Sequence, residues 1–456
     1  MQRLAEIFIL SLLVIPLACS SDSKKGPDVK PIPERPSSGL GIEVGKVIPA
    51  WKEGEMDIHF INTTTGESAF VIMPDGTQLL IDAASSLLKT NSDDNTTNTG
   101  IRSRWDPIAA GMRGSQIIGD YLKKCMVWTG NNTLDYVVMS HLHNDHMGDC
   151  NSSMPKSSKG GPYRINGLTE ILDDFPVTCI IDRGWPNYDY PFDMQNLASN
   201  KTTINNYIQA VKWHISNTGL RAEIFKAGAA DQITPKTSKY DVKVQNIAVN
   251  GEIWTGSGSN VKMTFPEKKD IIVANPAKVV GTDKCPPENI CSAVMRISYG
   301  KFDYFAGADL QYNNKSNFAW KDAELPCAKV AGVVEVMKAD HHGSSATNSP
   351  DALRALNPQI VVVNSWVDSH PRTAVLAQAE KVLPAADFFV TNLWLGDRPA
   401  GVDDKITEAE LSRVKGYDGN VVIRVVDNGA KYYVMTTSDS DGKMTVKKIS
   451  GPYTCR

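Results

Sequence analysis

Short runs that alternate apolar and polar residues open the chain's main region and predict β-strands. Asp57 to Ile61 alternates, and the turn signal Pro74-Asp75-Gly76 separates the β-prone runs 68–73 and 78–81. Asp135 to Met139 is apolar on both faces, as in a buried central strand. These segments predict an antiparallel meander that leads into a buried strand.

Helical periodicity follows the first strands, and a similar order of elements returns later in the chain. The spacing of apolar residues in 115–127 predicts a helix, as it does in 167–175. Val333 to Lys338 then predicts a strand, and Pro350 to Leu356 a helix. The recurrence predicts an α/β domain of two similar halves packed face to face, spanning residues 49–456.

Two segments interrupt this order. The polar stretch at about 85–114 and the irregular stretch at about 187–288 are interpreted as large insertions in one domain. Near the C terminus, 421–425 and 431–435 predict a hairpin around Asp427-Asn428-Gly429.

The N-terminal residues have the pattern of an export signal. The apolar stretch 7–18 ends in Pro16-Leu17-Ala18-Cys19, which resembles a bacterial lipobox in which Cys19 is lipidated. Residues 1–19 are therefore predicted to be a signal peptide, and 20–48 a flexible tether. We expect a membrane-anchored lipoprotein that touches the membrane only through its lipid; cleavage and secretion is the alternative.

The net charge and the cysteine content of the chain exclude few classes of function. The formal net charge of -3 gives no basic footprint for specific nucleic-acid binding, and the sequence identifies no protein partner. Seven cysteines remain besides Cys19, so at least one is unpaired. Cys285 and Cys291 are either a disulfide pair or buried free thiols.

The strongest chemical signal is the run His141-Leu142-His143-Asn144-Asp145-His146 directly after the predicted strand. Imidazole and carboxylate are good ligands for borderline divalent ions. At this spacing, His141 and His143 can bind one ion while Asp145 and His146 bind a second. Two divalent ions are expected; zinc suits the histidine-rich set best, and manganese or iron is the alternative.

This run resembles the HxHxDH signature of the metallo-β-lactamase superfamily, and further motifs extend the resemblance to its ComEC/Rec2-type group. They are Phe305-Ala306-Gly307-Ala308-Asp309, Asp340-His341-His342-Gly343-Ser344 and His370-Pro371. The resemblance covers about residues 56–435. It implies an αββα sandwich, two mixed β-sheets with outer helices.

The resemblance also implies roles for individual residues. Asp309 would bridge the two ions, and His341 would complete the second ion's ligands, although the sequence does not distinguish it from His342. Asp145, His342 and His370 are the candidate catalytic residues. Possible supporting residues complete the set: Asp82, Asp182 and Ser344.

One expected ligand is missing. Many members of the superfamily have a further histidine between the first motif and the bridging aspartate. Only His214 lies in that interval, on a predicted helix where a core or surface histidine is the more common case. Asp182 is an alternative ligand there.

These features predict a metal-dependent hydrolase. Two ions would activate a hydroxide for attack, and the likeness to ComEC/Rec2-type and phosphorylcholine-esterase-like members favours a phosphoester, most of all a phosphodiester. A lactam, lactone or thioester hydrolase is the alternative enzyme. A non-catalytic, metal-stabilised surface binding protein is the alternative outside enzymes.

Overall fold

A computed structural model describes residues 40–87, 90–91, 96–97, 111–271, 285–313, 318–398, 405–440 and 442–456. From Leu40 onward these residues belong to one compact unit. The predicted signal peptide, Cys19 and most of the predicted insertion 85–114 lie outside the described residues.

The described strands are numbered in chain order. They are β1 (Met56–Phe60), β2 (Ala69–Ile72), β3 (Gln78–Ile81), β4 (Thr90–Asn91), β5 (Thr96–Thr97), β6 (Leu134–Met139), β7 (Val177–Asp182), β8 (Arg221–Ile224), β9 (Val242–Val249), β10 (Glu252–Trp254), β11 (Val261–Met263), β12 (Val294–Tyr299), β13 (Phe302–Ala306), β14 (Val336–Lys338), β15 (Ile360–Val363), β16 (Asp387–Val390), β17 (Val414–Tyr417), β18 (Asn420–Val426), β19 (Lys431–Thr437) and β20 (Val446–Thr454).

The described α-helices are numbered in the same way. They are α1 (Gly114–Thr129), α2 (Asn144–Met147), α3 (Leu168–Asp174), α4 (Met194–Leu197), α5 (Lys201–Thr218), α6 (Glu324–Ala331), α7 (Pro350–Leu356), α8 (Thr373–Val382) and α9 (Glu408–Arg413). Short 3₁₀ turns lie at Lys268–Asp270, Glu288–Cys291, Ala319–Lys321, Asp340–Gly343 and Asp427–Gly429.

Two large mixed sheets share one plan. The first has the order β20-β19-β18-β1-β2-β3-β6-β7-β8, and the second β11-β10-β9-β12-β13-β14-β15-β16-β17. In the first, pairing is antiparallel as far as β3 and parallel from there to β8. In the second, it is antiparallel as far as β13 and parallel from there to β17. The predicted α/β class with two mixed sheets is confirmed.

Strand alternation places three apolar layers in the unit. Ile58 of β1 and Ile360 of β15 belong to one buried cluster that draws on both sheets. Phe70 of β2 lies on the face of the first sheet that points away from this shared cluster, and it packs in a second cluster with α1, α3 and α5. Val361 packs in a third with α6, α7 and α8. The two sheets therefore face each other across a shared core and carry helices on their outer faces.

Two segments are more closely integrated than their sequence suggests. Ile42 and Ile48, within the predicted tether, are buried, and Val47 pairs with Thr445, so the compact unit begins before residue 49. The predicted insertion 187–288 contributes β8 to the first sheet and β9, β10 and β11 to the second. That insertion is thus built into both sheets.

Two further features concern the state of the cysteines and the search for membrane-spanning helices. The seven cysteines among the described residues are free thiols, including Cys285 and Cys291. Burial raises the pKa of each of these thiols. Within the described ranges, no helix combines the length and the apolar character needed to cross a bilayer.

A buried ion pair joins β1 to β18. The Arg424 guanidinium donates to both oxygens of Asp57, at 2.8 and 2.6 Å, and both side chains are at most 1% exposed. Burial alone would raise the pKa of Asp57, but Arg424 lowers it to about 2. The stabilising contribution of the charged carboxylate is therefore present above the unfolded pKa of about 3.9 and is lost as pH falls through the folded pKa.

Replacing Asp57 with Asn is expected to reduce the free energy of unfolding by up to about 3–5 kcal/mol, because it leaves the buried Arg424 with only the longer contact to Glu55, 3.4 Å from its Nε atom, as a counter-charge. Urea unfolding of the two proteins measures the difference. The matched control is Asp351→Asn, which breaks the exposed pair with Arg354 and should cost less than about 1 kcal/mol. Equal effects of the two changes would contradict the prediction.

Candidate metal centre

The predicted ligands come together at one edge of the two sheets. Asp82 follows β3, His141 follows β6 by two residues, Asp309 follows β13, and the His341-His342 pair follows β14. All four strands belong to the parallel parts of their sheets. The carboxyl ends of parallel strands lie at a common edge, where open α/β sheets hold their ligands.

A single carboxylate oxygen lies at the centre of this arrangement. The Oδ2 atom of Asp309 is 3.2 Å from Nε2 of His146 and 3.5 Å from Nε2 of His342. It is 3.7 Å from Nε2 of His141 and 3.8 Å from Nε2 of His341. Four imidazoles from two sheets therefore converge on one oxygen.

The rest of the first motif completes the cluster. The Nε2 atom of His141 lies 3.1 Å from Nδ1 of His143. The Oδ2 atom of Asp145 lies 3.3 Å from Nε2 of His342 and 3.9 Å from Nε2 of His146. Each ligand predicted from the motif is thus present in the cluster.

Two imidazoles have their tautomers fixed by partners on the far side of the ring. Nδ1 of His146 lies 2.8 Å from Oδ2 of Asp82, and Nδ1 of His342 lies 2.9 Å from the carbonyl oxygen of Asn364. Because both acceptors need an N–H at Nδ1, each ring in its neutral form has its lone pair on Nε2, on the side of Asp309. A lone pair and a carboxylate oxygen at this separation need a proton or a cation between them.

Contacts with Ser140 hold Asp82 in place beside the His146 ring. Its two oxygens accept from the backbone N–H and the hydroxyl of Ser140, at 2.7 and 2.6 Å. Its backbone φ of 57° is in the left-handed region. The predicted supporting role of Asp82 therefore has a geometric basis.

A lysine enters the cluster from β14. The Nζ atom of Lys338 lies 2.7 Å from Oε2 of Glu67 and 3.2 Å from Oδ1 of Asp309, and it donates to the carbonyl oxygen of Ala308. Lys338 thus occupies one oxygen of Asp309 and leaves Oδ2 for the imidazoles. Glu67, His146, Asp309 and His342 each offer one ligand atom, and these atoms lie within 4.8 Å of one another, so the group can hold a metal ion.

The charges in the cluster favour a cation. Burial lowers the pKa of His141, so this imidazole is neutral and available as a ligand. Burial opposes charge on His146 and His342 as well, yet the Asp309 carboxylate and its neighbours raise the pKa of both, that of His342 to about 9. The negative potential that favours protonation of these two histidines also favours binding of a divalent ion, and that ion would displace the protons.

The backbone at the second motif is strained in a way that serves the cluster. His341 and His342 both have a left-handed backbone, with φ values of 45° and 56°. The Ser344 N–H donates to the carbonyl of His341 at 2.8 Å and closes this turn. The turn presents both rings to Asp309, and such strain is typical of functional sites. Ser344 itself is buried in the turn.

The remaining predicted residues lie at different distances from the centre. The ring of His370 stacks on His342, with 5.4 Å between centroids and 18° between planes. Its predicted catalytic role stays a prediction. Asp182 accepts from the N–H groups of Gly184 and Trp185 and from the hydroxyls of Tyr188 and Tyr207. Both of its oxygens are occupied in organising the chain after β7.

His214 is engaged away from the cluster, as the sequence predicts. Its Nε2 lies 2.7 Å from the hydroxyl of Tyr163, which donates to Asp173. Burial lowers the pKa of His214 to about 4.

The sequence analysis assigned no role to Lys338, Glu67 or Asn289, which lie buried beside the histidines and carboxylates of the cluster. Lysine and asparagine are common residue types, and only their burial beside ligands marks them. The sequence signal for Lys338 was its position at the end of a buried strand, two residues before the second histidine motif.

Comparison with protein-family models finds no match, and comparison with curated proteins finds no similar protein either. The functional argument therefore depends on the residues themselves.

Replacing Asp82 with Asn is expected to weaken zinc binding by roughly 10–100-fold, because the amide no longer fixes the His146 tautomer. Competition for Zn²⁺ with a coloured chelator measures the affinity. Asp182→Asn is the matched control, since it alters a buried carboxyl at the end of β7 in the same sheet and should leave the affinity unchanged. A larger effect at Asp182 would show that the wrong aspartate has been assigned.

Proposed function

We propose that this protein is a metal-dependent hydrolase with the αββα fold of the metallo-β-lactamase superfamily, acting on phosphoesters and in particular on phosphodiesters. The observation that carries the proposal is the pair of Nε2 atoms, on His146 and His342, that face the Oδ2 atom of Asp309 in a buried site. An arrangement of this kind is stable with a cation between the three atoms.

The residues divide into two ligand groups. His146, His342, Asp145 and Asp309 would hold one ion, and His141 and His143 would hold the other, with Asp309 shared between them. The donor set of imidazoles and carboxylates suits zinc, and manganese is compatible with it. His342 therefore takes the ligand position that the sequence interpretation gave to His341.

Divalent ions in such a site supply Lewis acidity and lower the pKa of water to about 7. The protein's own residues place and orient the side chains that would bind these ions. Asp82 and Asn364 fix the rings of His146 and His342, and Lys338 holds Asp309 so that one oxygen faces both ligand groups. Asp145 is the least buried of the site's carboxylates, at 16% side-chain exposure, and so is the best placed to meet a substrate.

The preference for a phosphoester comes from the resemblance to ComEC/Rec2-type and phosphorylcholine-esterase-like members. This preference agrees with the electrostatics of a site that would bind cations, because cations stabilise the negative charge that develops on phosphoryl oxygens. Lactam, lactone and thioester cleavage would use the same groups, so a direct comparison of substrates is needed.

We expect the purified protein to contain about two divalent ions per chain and to hydrolyse bis-p-nitrophenyl phosphate faster than nitrocefin. Asp309→Ala and His143→Ala should lower kcat/KM by more than the roughly 10–100-fold that loss of an outer partner costs. Mass spectrometry gives the metal content, and absorbance gives both rates.

His214→Gln is the control for these variants, because it removes a buried histidine that bonds to Tyr163 and not to the cluster. It should keep both metal content and activity. Faster nitrocefin turnover would replace the phosphodiester assignment with a lactamase. Absence of metal, or activity unaffected by Asp309→Ala, would favour a binding protein over an enzyme.

A further inference from the structure

We propose that the side-chain amide oxygen of Asn289 is a ligand of the first ion, together with His141 and His143. This inference rests on the proposed function and names the group that fills the ligand position for which the sequence offers no histidine. It also assigns His341 to positioning Asn289.

Asn289 has a buried oxygen with no hydrogen-bond partner. The residue is 3% exposed, and its Oδ1 atom is enclosed by protein without an N–H or O–H donor. Leaving a buried carbonyl oxygen unpaired is unfavourable, so such an atom needs a partner. A cation bound by neighbouring histidines would be that partner.

The residue before Asn289 is fixed to the loop that carries the first two histidines. The Oε1 atom of Glu288 accepts from the backbone N–H of Leu142, between His141 and His143, at 2.7 Å. Arg183 donates to both oxygens of Glu288 and holds it in this position. Asn289 is therefore adjacent in the chain to a residue that contacts the centre of the HxH segment.

The residues after Asn289 are fixed to the bridging aspartate. The Ser292 hydroxyl donates to the carbonyl of Asn289 at 2.6 Å and accepts from the N–H of Asp309 at 3.3 Å. The next N–H, that of Ala293, donates to the carbonyl of Ser140 at 2.9 Å. The Asn289 backbone is thus held between the two loops that supply the ligands of the first ion.

The other end of the Asn289 amide is occupied by His341. Nδ2 of Asn289 lies 3.3 Å from Nε2 of His341, and Nε2 of Gln311 lies 3.1 Å from Nδ1 of the same ring. A neutral imidazole has one donor and one acceptor nitrogen, so it accepts from only one of these two amides. With the Gln311 amide reversed, so that its oxygen accepts from Nδ1–H, Nε2 accepts from Asn289, whose oxygen is then turned away from His341.

The other two candidates for this ligand position are excluded because their side chains are bonded elsewhere. His214, the histidine in the interval, bonds to Tyr163, and Asp182 bonds to four donors after β7. An amide oxygen is a harder and weaker zinc ligand than imidazole, and manganese tolerates it well. We therefore expect the first site to bind zinc less tightly than the second.

The test is equilibrium dialysis of chelator-stripped protein against buffered Zn²⁺, and separately Mn²⁺, with bound metal counted by mass spectrometry. Wild type should bind two ions per chain with unequal affinities. Asn289→Leu, which keeps the side chain's branched shape and removes its oxygen, should weaken the lower-affinity site at least about tenfold and leave the other unchanged. His214→Gln should match wild type.

Asn289→Asp provides a second measurement that does not depend on the leucine variant folding. It retains an oxygen and adds a charge, so the lower-affinity site should tighten for both ions. Melting temperatures of the metal-free proteins show that each variant is folded.

Unchanged affinities in both Asn289 variants would overturn the assignment while leaving the proposed hydrolase intact. A wild-type protein that binds one ion, retained in Asn289→Leu, would overturn it as well. Wild type that binds neither Zn²⁺ nor Mn²⁺ would overturn the proposed function together with this inference.

Discussion

A buried carboxylate whose charge is only partly neutralised is the feature on which the site depends. Lys338 compensates one oxygen of Asp309, while the other faces imidazole nitrogens from both sheets. Transferring such a charge from water costs several kcal/mol unless counter-charge is supplied. Protons on the histidines supply part of it, and a divalent ion would supply more. A metal ion bound in this cluster would therefore stabilise the fold.

The duplicated plan of the sheets explains how these groups meet. Each sheet changes from antiparallel to parallel pairing, and the parallel part of each ends in a ligand loop. The first sheet supplies Asp82 and the HxHxDH segment, and the second supplies Asp309 and the turn through His341 and His342. The apolar core between the sheets holds the two loops at a fixed separation. Precise placement at a sheet edge thus follows from ordinary hydrophobic packing.

Sequence reasoning succeeded where the information is local. The spacing within 141–146 and the strands around it lie in one short stretch, so their shared location needed no knowledge of distant contacts. Asp82 and Asp182 show the limit, because each follows a buried strand and the two are indistinguishable by pattern. Asp82 bonds to His146, whereas Asp182 bonds to two tyrosines and two backbone groups. Partners far along the chain decide between such roles, as they do for Lys338 and Asn289.

The state of the sulfur atoms has a consequence for how the protein can be made. The seven cysteines of the described residues are free, and burial raises the pKa of every one, so little of the reactive thiolate is present at neutral pH. The packing of the described chain therefore requires no oxidative step. Production in a reducing cytoplasm and production in an oxidising compartment should therefore leave the same seven free thiols in the described residues, which makes the redox environment of the expression host a free choice for them.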